Sequence, residues 1–201
     1  MVANPGLICF SHCDSKRVFC KNVPEKCPHC HLSLLDFTIE PFQIPYPCGS
    51  ARHHPCSIAV RPSVGTFLND YDVNSDLHIA IVNSKMNIVE FDRTGLRFND
   101  YSKWTDCITL EVIPSSWESH WDKTLDVVSK EDKWNIDNYH STVFNCFTFV
   151  LDFLNQLNFP QLKSVNKENL CEKFILPKIQ EVIRYSKIYR QLNNNLYVIL
   201  N

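Results

Sequence analysis

The stretch Val143–Leu157 (VFNCFTFVLDFLNQL) constrains the fold of this chain more than any other. At helical spacing Cys146, Phe149, Val150 and Phe153 share one side, and Phe147, Leu151 and Leu154 share another. A helix that is apolar on two sides would leave one of them in water if it lay on a surface, so it belongs at the centre. The rest of the chain supplies the enclosure. Ser57–Arg61 is a short strand stopped by Pro62. Leu77–Asn83 (LHIAIVN) and Ile88–Phe91 read as a hairpin across the tight turn Ser84–Asn87, and Cys107–Ile113 is a fourth strand closed by Pro114. The spacing of Trp117, Trp121, Leu125 and Val128 predicts a helix ahead of the central one. A short helix over 167–176 and a longer one from Pro177 to about Leu192 follow it, and Leu196–Leu200 is a final strand. The expected class is α+β, an antiparallel sheet packed on a central buried helix.

Residues 1–40 have a different texture. They are rich in cysteine and read as a zinc-ribbon-like unit, 41–56 (PFQIPYPCGSARHHPC), rich in proline and short on apolar periodicity, read as a connecting loop, and 57–201 are expected to form the main domain. Four glycines in 201 residues leave little for Gly-rich phosphate loops, and neither G-x-G-x-x-G, a P-loop nor G-x-S-x-G is present. A net charge of −2 lacks the basic footprint of a dedicated nucleic-acid binder. No apolar run is long enough to span a bilayer, and MVANPGLICF does not read as a signal peptide. The ten cysteines are therefore expected as thiols or metal ligands in the cytoplasm or nucleus.

Cys27-Pro28-His29-Cys30 is a C-x-x-C pair of the kind that grips a tetrahedral zinc ion from a tight turn, and Cys9 with Cys13 supplies a second pair upstream. These four are the expected zinc ligands, with His12, His54 and Cys56 as alternatives. About thirty-five residues cannot bury enough apolar surface to order themselves, and a structural metal can supply the missing free energy.

The second constellation is His78, which opens a strand, and Cys146, which lies early in the central helix. A thiolate is stabilised near a helix N-terminus, an imidazole can take its proton, and a carboxylate can orient the imidazole. Glu90 on the facing strand is the expected orienting group, ahead of Asp92 and Asn83, and His140 is an alternative imidazole. A strand beginning with His, a hairpin, and a later helix beginning N-C-x-x-F resemble circularly permuted papain-like folds of the lecithin:retinol acyltransferase and PPPDE type. That resemblance covers roughly residues 76–157.

A second resemblance covers nearly the whole chain. The C-P-H-C start, Arg61–Ile81 (RPSVGTFLNDYDVNSDLHIAI), the W-D-K of Trp121–Lys123 and Asp137–Val150 (DNYHSTVFNCFTFV) resemble the makorin opposite-strand protein family, which takes its name from the position of a gene, so the resemblance implies the architecture of the whole chain and no particular biochemical activity. Asp70, Asp72 and Asp76, with Asn69 and Asn74, lack the glycine of a calcium loop and read as a turn bonded to its own backbone. Lys178, Arg184, Lys187 and Arg190 read as the solvated side of the last helix, and the tryptophans as packing. The sequence thus points first to a zinc-braced, non-enzymatic module that binds other proteins. The alternative is a thiol hydrolase or acyltransferase acting on an amide, thioester or ester, with Cys146 as nucleophile and His78 as base.

Overall fold

A computed structural model describes residues 5–13 and 16–200. In chain order the elements are β1 (Ile8–Ser11), β2 (Arg17–Cys20), β3 (Ile39–Gln43), β4 (Ser57–Pro62), β5 (Leu77–Val82), β6 (Ile88–Asp92), β7 (Gly95–Phe98), β8 (Ile108–Leu110), α1 (Glu118–Ser129), α2 (Cys146–Leu157), α3 (Lys167–Leu170), α4 (Leu176–Gln191) and β9 (Tyr197–Leu200). The class is mixed α+β with two antiparallel sheets. One has the order β3-β1-β2-β9 and the other β7-β6-β5-β4-β8. The chain divides into two compact units, one of Cys48–Gln180 and one made of the described residues of Ala3–Pro47 and Glu181–Asn201. The final strand, read from sequence as part of the main domain, pairs antiparallel with β2, Val18 opposite Ile199 and Phe19 opposite Val198.

In the larger unit, the apolar run of β5 is explained by its position. It is hydrogen-bonded on both edges, to β4 and β6, and Ile79, Ala80, Ile81 and Val82 are all fully buried. The central helix α2 packs on β5 and β6 and against α1. Phe149, Val150, Phe153, Leu154 and Leu157 have no exposed surface, as expected for a helix apolar on two sides. α1 meets it through Trp121, whose ring stands edge-on to Phe153 at 4.7 Å and whose Nε1–H donates to the Val82 carbonyl at 2.9 Å. One side chain thus joins both helices and the sheet. Trp121→Ala should cost the larger unit about 3–5 kcal/mol, read as a lowered urea midpoint for exchange of the β5 amides. A shift worth under about 1 kcal/mol would contradict this account of the core.

Two differences from the sequence-based expectation bear on the site. α2 starts at Cys146 rather than near Val143, because Asn145 has extended backbone (φ −141°) and caps the helix, while Phe144 pairs back to His140. The fourth strand is confined to Ile108–Leu110. Among the described residues no helix is long and apolar enough to cross a membrane.

Candidate functional site

β5 and β6 are adjacent strands with Ile81 opposite Val89 and Val82 opposite Ile88. Strand alternation then puts His78 and Glu90 on the same side of the sheet, a diagonal step apart. Both are buried, His78 at 8% exposure and Glu90 at 1%, and His78 Nε2 lies 2.7 Å from Glu90 Oε2. The imidazole is held from other directions too. Arg61 lies opposite His78 across the β4–β5 pair, the Trp104 ring sits 5.8 Å from the imidazole, and the Arg61 guanidinium is 5.0 Å from the Trp104 ring.

Cys146 arrives from the other side, as the first residue of α2. Asn145 Oδ1 accepts from the Phe147 N–H at 3.0 Å, the Asn145 N–H donates to Thr148 Oγ1 at 3.2 Å, and Asn145 Nδ2 donates to the Ser141 carbonyl at 2.7 Å. This capping box fixes the helix start and takes the N–H groups of Phe147 and Thr148. The Cys146 N–H, at the positive pole of the helix, meets no acceptor among the described residues. The thiol lies close enough to the His78 ring for the two to influence each other's charge, and both line the same cavity. Because Nε2 is engaged by Glu90, Nδ1 is the nitrogen left to face the sulfur. Burial pulls the His78 pKa down, but hydrogen bonds to Cys146 and Glu90 and the negative charge of both outweigh it, and the value is pushed up to about 9.

Cys146 is only 6% exposed, yet it lines a cavity of about 490 Å³. The walls of that cavity include His78, Ser63, Tyr71, Asp76, Tyr139 and Thr142. A thiol and an imidazole thus share the wall of one cavity, with the Glu90 carboxylate behind the imidazole. The other sequence candidates are engaged elsewhere. His140 Nδ1 is 3.0 Å from Thr142 Oγ1, Asp92 Oδ1 accepts the Thr94 N–H at 2.8 Å, and Asn83 Oδ1 accepts the N–H groups of Lys85 and Asn87 at 2.9 and 2.8 Å. The aspartate-rich segment before β5 bonds to itself. Asp70 Oδ2 takes the Thr66 N–H at 2.8 Å and Asp72 Oδ1 takes that of Asn74 at 2.7 Å. Arg61 and Trp104, which flank the imidazole, carried no signal in the sequence, since both depend on strand register and loop return.

The smaller unit gathers a different group. The ligand atoms of His12, Cys13, Cys27 and Cys30 all lie within 4.8 Å of one another, so these four can hold a metal ion. Cys13 Sγ and Cys27 Sγ are 3.8 Å apart, and Cys30 Sγ is 3.3 Å from His12 Nδ1. The C-P-H-C turn is closed by Cys27 N–H to Leu32 O and His31 N–H to Cys27 O, with His31 at φ 62°. Burial raises the Cys27 pKa, but backbone N–H groups of Cys30 and His29 aimed at the sulfur outweigh it and hold the value below the usual thiol range. Cys13 is pushed up to about 12 by burial first and then by its thiol neighbours. Of the four ligands expected first from the sequence, Cys9 stands outside this group and His12 takes its place. Cys9 is interior to β1, buried opposite Phe19 and Phe42, whereas His12 and Cys13 follow the end of that strand. His54 faces Glu111 at 3.5 Å and Cys56 is buried near Asp122, both in the larger unit.

Comparison with known proteins gives three findings. The DUF4796 C-terminal family model matches residues 41–192, and the DUF4796 N-terminal model matches residues 5–34. The human MKRN2 opposite strand protein is 28% identical over 199 residues, covering 96% of this chain and 88% of the relative. No solved structure matches the chain.

Proposed function

The chain belongs to the makorin opposite-strand family, and because that membership brings no chemistry with it, we propose from the site alone that the protein is a cysteine-dependent hydrolase or acyltransferase. The observation that carries the reading is the convergence of Cys146, at a capped helix start, with a buried His78–Glu90 pair at the wall of one cavity. Cys146 is the nucleophile, His78 the base and Glu90 the group that orients the imidazole and balances its charge. The chain order supports it as well: histidine on a strand, carboxylate on the next, cysteine opening a later helix, as in permuted papain-like proteins.

In the proposed reaction the Cys146 proton already resides on His78, and the sulfur attacks a carbonyl carbon as the thiolate. The carbonyl π pair moves to oxygen, where the Cys146 N–H donates a hydrogen bond. Collapse of this intermediate breaks the bond to the amine, alcohol or thiol leaving group, which takes the proton from His78. Water, or an acceptor nucleophile, then gives its proton to His78 and releases the acyl group from sulfur. The test is an electrophilic thiol probe with peptide mapping. Cys146 should be labelled well ahead of the other cysteines at neutral pH, and His78→Ala should lower that labelling by about 100-fold or more. Labelling of Cys146 no faster than that of Cys107, also buried but without an imidazole, would leave the non-enzymatic interaction module as the better account.

A second, independent reading concerns the smaller unit, where zinc is the metal that His12, Cys13, Cys27 and Cys30 are best suited to hold. Three thiols and one imidazole are a zinc donor set, and two sulfurs each about 2.3 Å from a tetrahedral ion lie about 3.8 Å apart. The Cys13–Cys27 separation of 3.8 Å meets that spacing. Its chemistry is structural, since four protein ligands leave no open position.

A further inference from the structure

Two phenols line the cavity that holds Cys146, those of Tyr71 and Tyr139, and they are not equivalent. Tyr71 is buried edge-on to Phe67 at 5.1 Å, and the neighbouring charge it feels is that of Asp72. Tyr139 is half-buried with its ring 5.5 Å from Phe91, which fixes the direction of the phenol. Its N–H donates to the Ile136 carbonyl at 3.2 Å, but its hydroxyl has no hydrogen-bond partner among the described residues. Burial first, and then the negative charges of Cys146 and Asp92, raise its pKa, so the phenol keeps its proton. A hydroxyl donor in the wall of a cavity, close enough to feel the charge on the sulfur and unclaimed by the protein, is placed for an oxygen of the substrate.

We propose that the Tyr139 hydroxyl is the second donor to the oxyanion, acting with the Cys146 N–H. The assignment rests on the thiol reading above and adds a catalytic residue to it. When sulfur adds to the carbonyl carbon, the displaced π pair settles on oxygen. One hydrogen bond then comes from the helix pole and the other from the phenol across the cavity. Neither donor gives up its proton. When the carbon–oxygen double bond re-forms, both bonds weaken and the leaving group departs with the proton held by His78. Donors fixed before the charge develops need no reorganisation at the moment of reaction.

The test uses Tyr139→Phe in the full chain, which keeps the ring and its packing on Phe91 and deletes only the hydroxyl. Two reagents are compared. Acylation of Cys146 by p-nitrophenyl acetate passes through a tetrahedral oxyanion, whereas alkylation by iodoacetamide displaces iodide at a saturated carbon and forms none. The variant should acylate about 100- to 1000-fold more slowly and alkylate at the wild-type rate, which also shows that it is folded and that its thiol is intact. Equal acylation of variant and wild type overturns the assignment while leaving the thiol reading standing. A parallel fall in both rates overturns it too, by placing Tyr139 at the sulfur rather than the oxyanion. Wild-type Cys146 inert to both reagents removes the thiol reading and this assignment together.

Discussion

Replacing Glu90 by alanine is expected to slow modification of Cys146 by about 100- to 10,000-fold at neutral pH, the range seen when the carboxylate behind a catalytic histidine is lost. Glu90 Oε2 is 2.7 Å from His78 Nε2, and both groups are buried. Without the carboxylate the Nε2–H is left with no partner, the imidazole is no longer aimed at the sulfur, and the imidazolium formed on taking the thiol proton loses its counter-charge. Glu90→Gln separates these effects, because its amide oxygen can accept the same hydrogen bond without the charge. That variant should keep more activity but show a changed pH profile. In the wild type, His78 is pushed up to about 9 from 6.5, so it holds its proton across neutral pH. The alkaline limb of the profile should fall near that upper value. Loss of the Glu90 charge moves the limb toward lower pH. The same shift has a stability sign. The folded state binds the extra proton between about 6.5 and 9, so the stabilisation is complete below that window and disappears as pH rises through it. An alkaline limb and a pH–stability curve that are both unmoved in Glu90→Gln would show that the carboxylate plays no part in the charge state of His78.

How much of this site could be read from residues alone follows from the range of each interaction. The pairing of His78 with Glu90 was legible because a tight turn at Ser84–Asn87 sets the hairpin, and alternation does the rest. The start of α2 was legible in principle, since Asn145 with Thr148 is a capping box. The apolar Val143 and Phe144 masked it by extending the periodic run upstream. Arg61 opposite His78 was not legible, because the intervening segment 63–76 has no regular structure from which register could be counted. The pairing of β9 with β2 joins the two ends of the chain, and no local pattern announces it. β7, the four residues GLRF, was too short to detect, and its turn depends on Gly95 at φ 93°. In the metal group, counting cysteines favoured Cys9 over His12. The choice depends on where β1 stops, since a side chain inside the strand is committed to its sheet while one just past its end is free to turn toward Cys27 and Cys30.

Removal of metal should have the largest effect of all on the smaller unit. Its strands are short, and β3 is mostly exposed, with Phe42 at 50%. One apolar cluster of its sheet, Phe10, Val18 and Cys20 flanked by Ile8, Leu34, Phe37 and Ile199, is small. A core of that size does not offset the conformational entropy of the residues it orders. Structural zinc contributes about 10–16 kcal/mol in comparable small sites at neutral pH, which is enough to decide whether the unit folds. Purified protein should therefore carry one zinc per chain. A strong chelator, or Cys27→Ser, should release it and abolish amide-exchange protection in β1, β2 and β9. Protection in β4, β5 and β6 should persist, because those strands have their own fully buried core. Cys9→Ser should retain the metal, and His12→Ala should weaken its binding, which distinguishes the observed group from the one that cysteine spacing suggests. Absence of zinc from protein prepared without chelator, together with unchanged protection of β1 and β2, would mean that the thiols are held together by the sheet and the C-P-H-C turn alone. The 3.8 Å separation of Cys13 and Cys27 would then be a packing contact rather than the edge of a coordination tetrahedron.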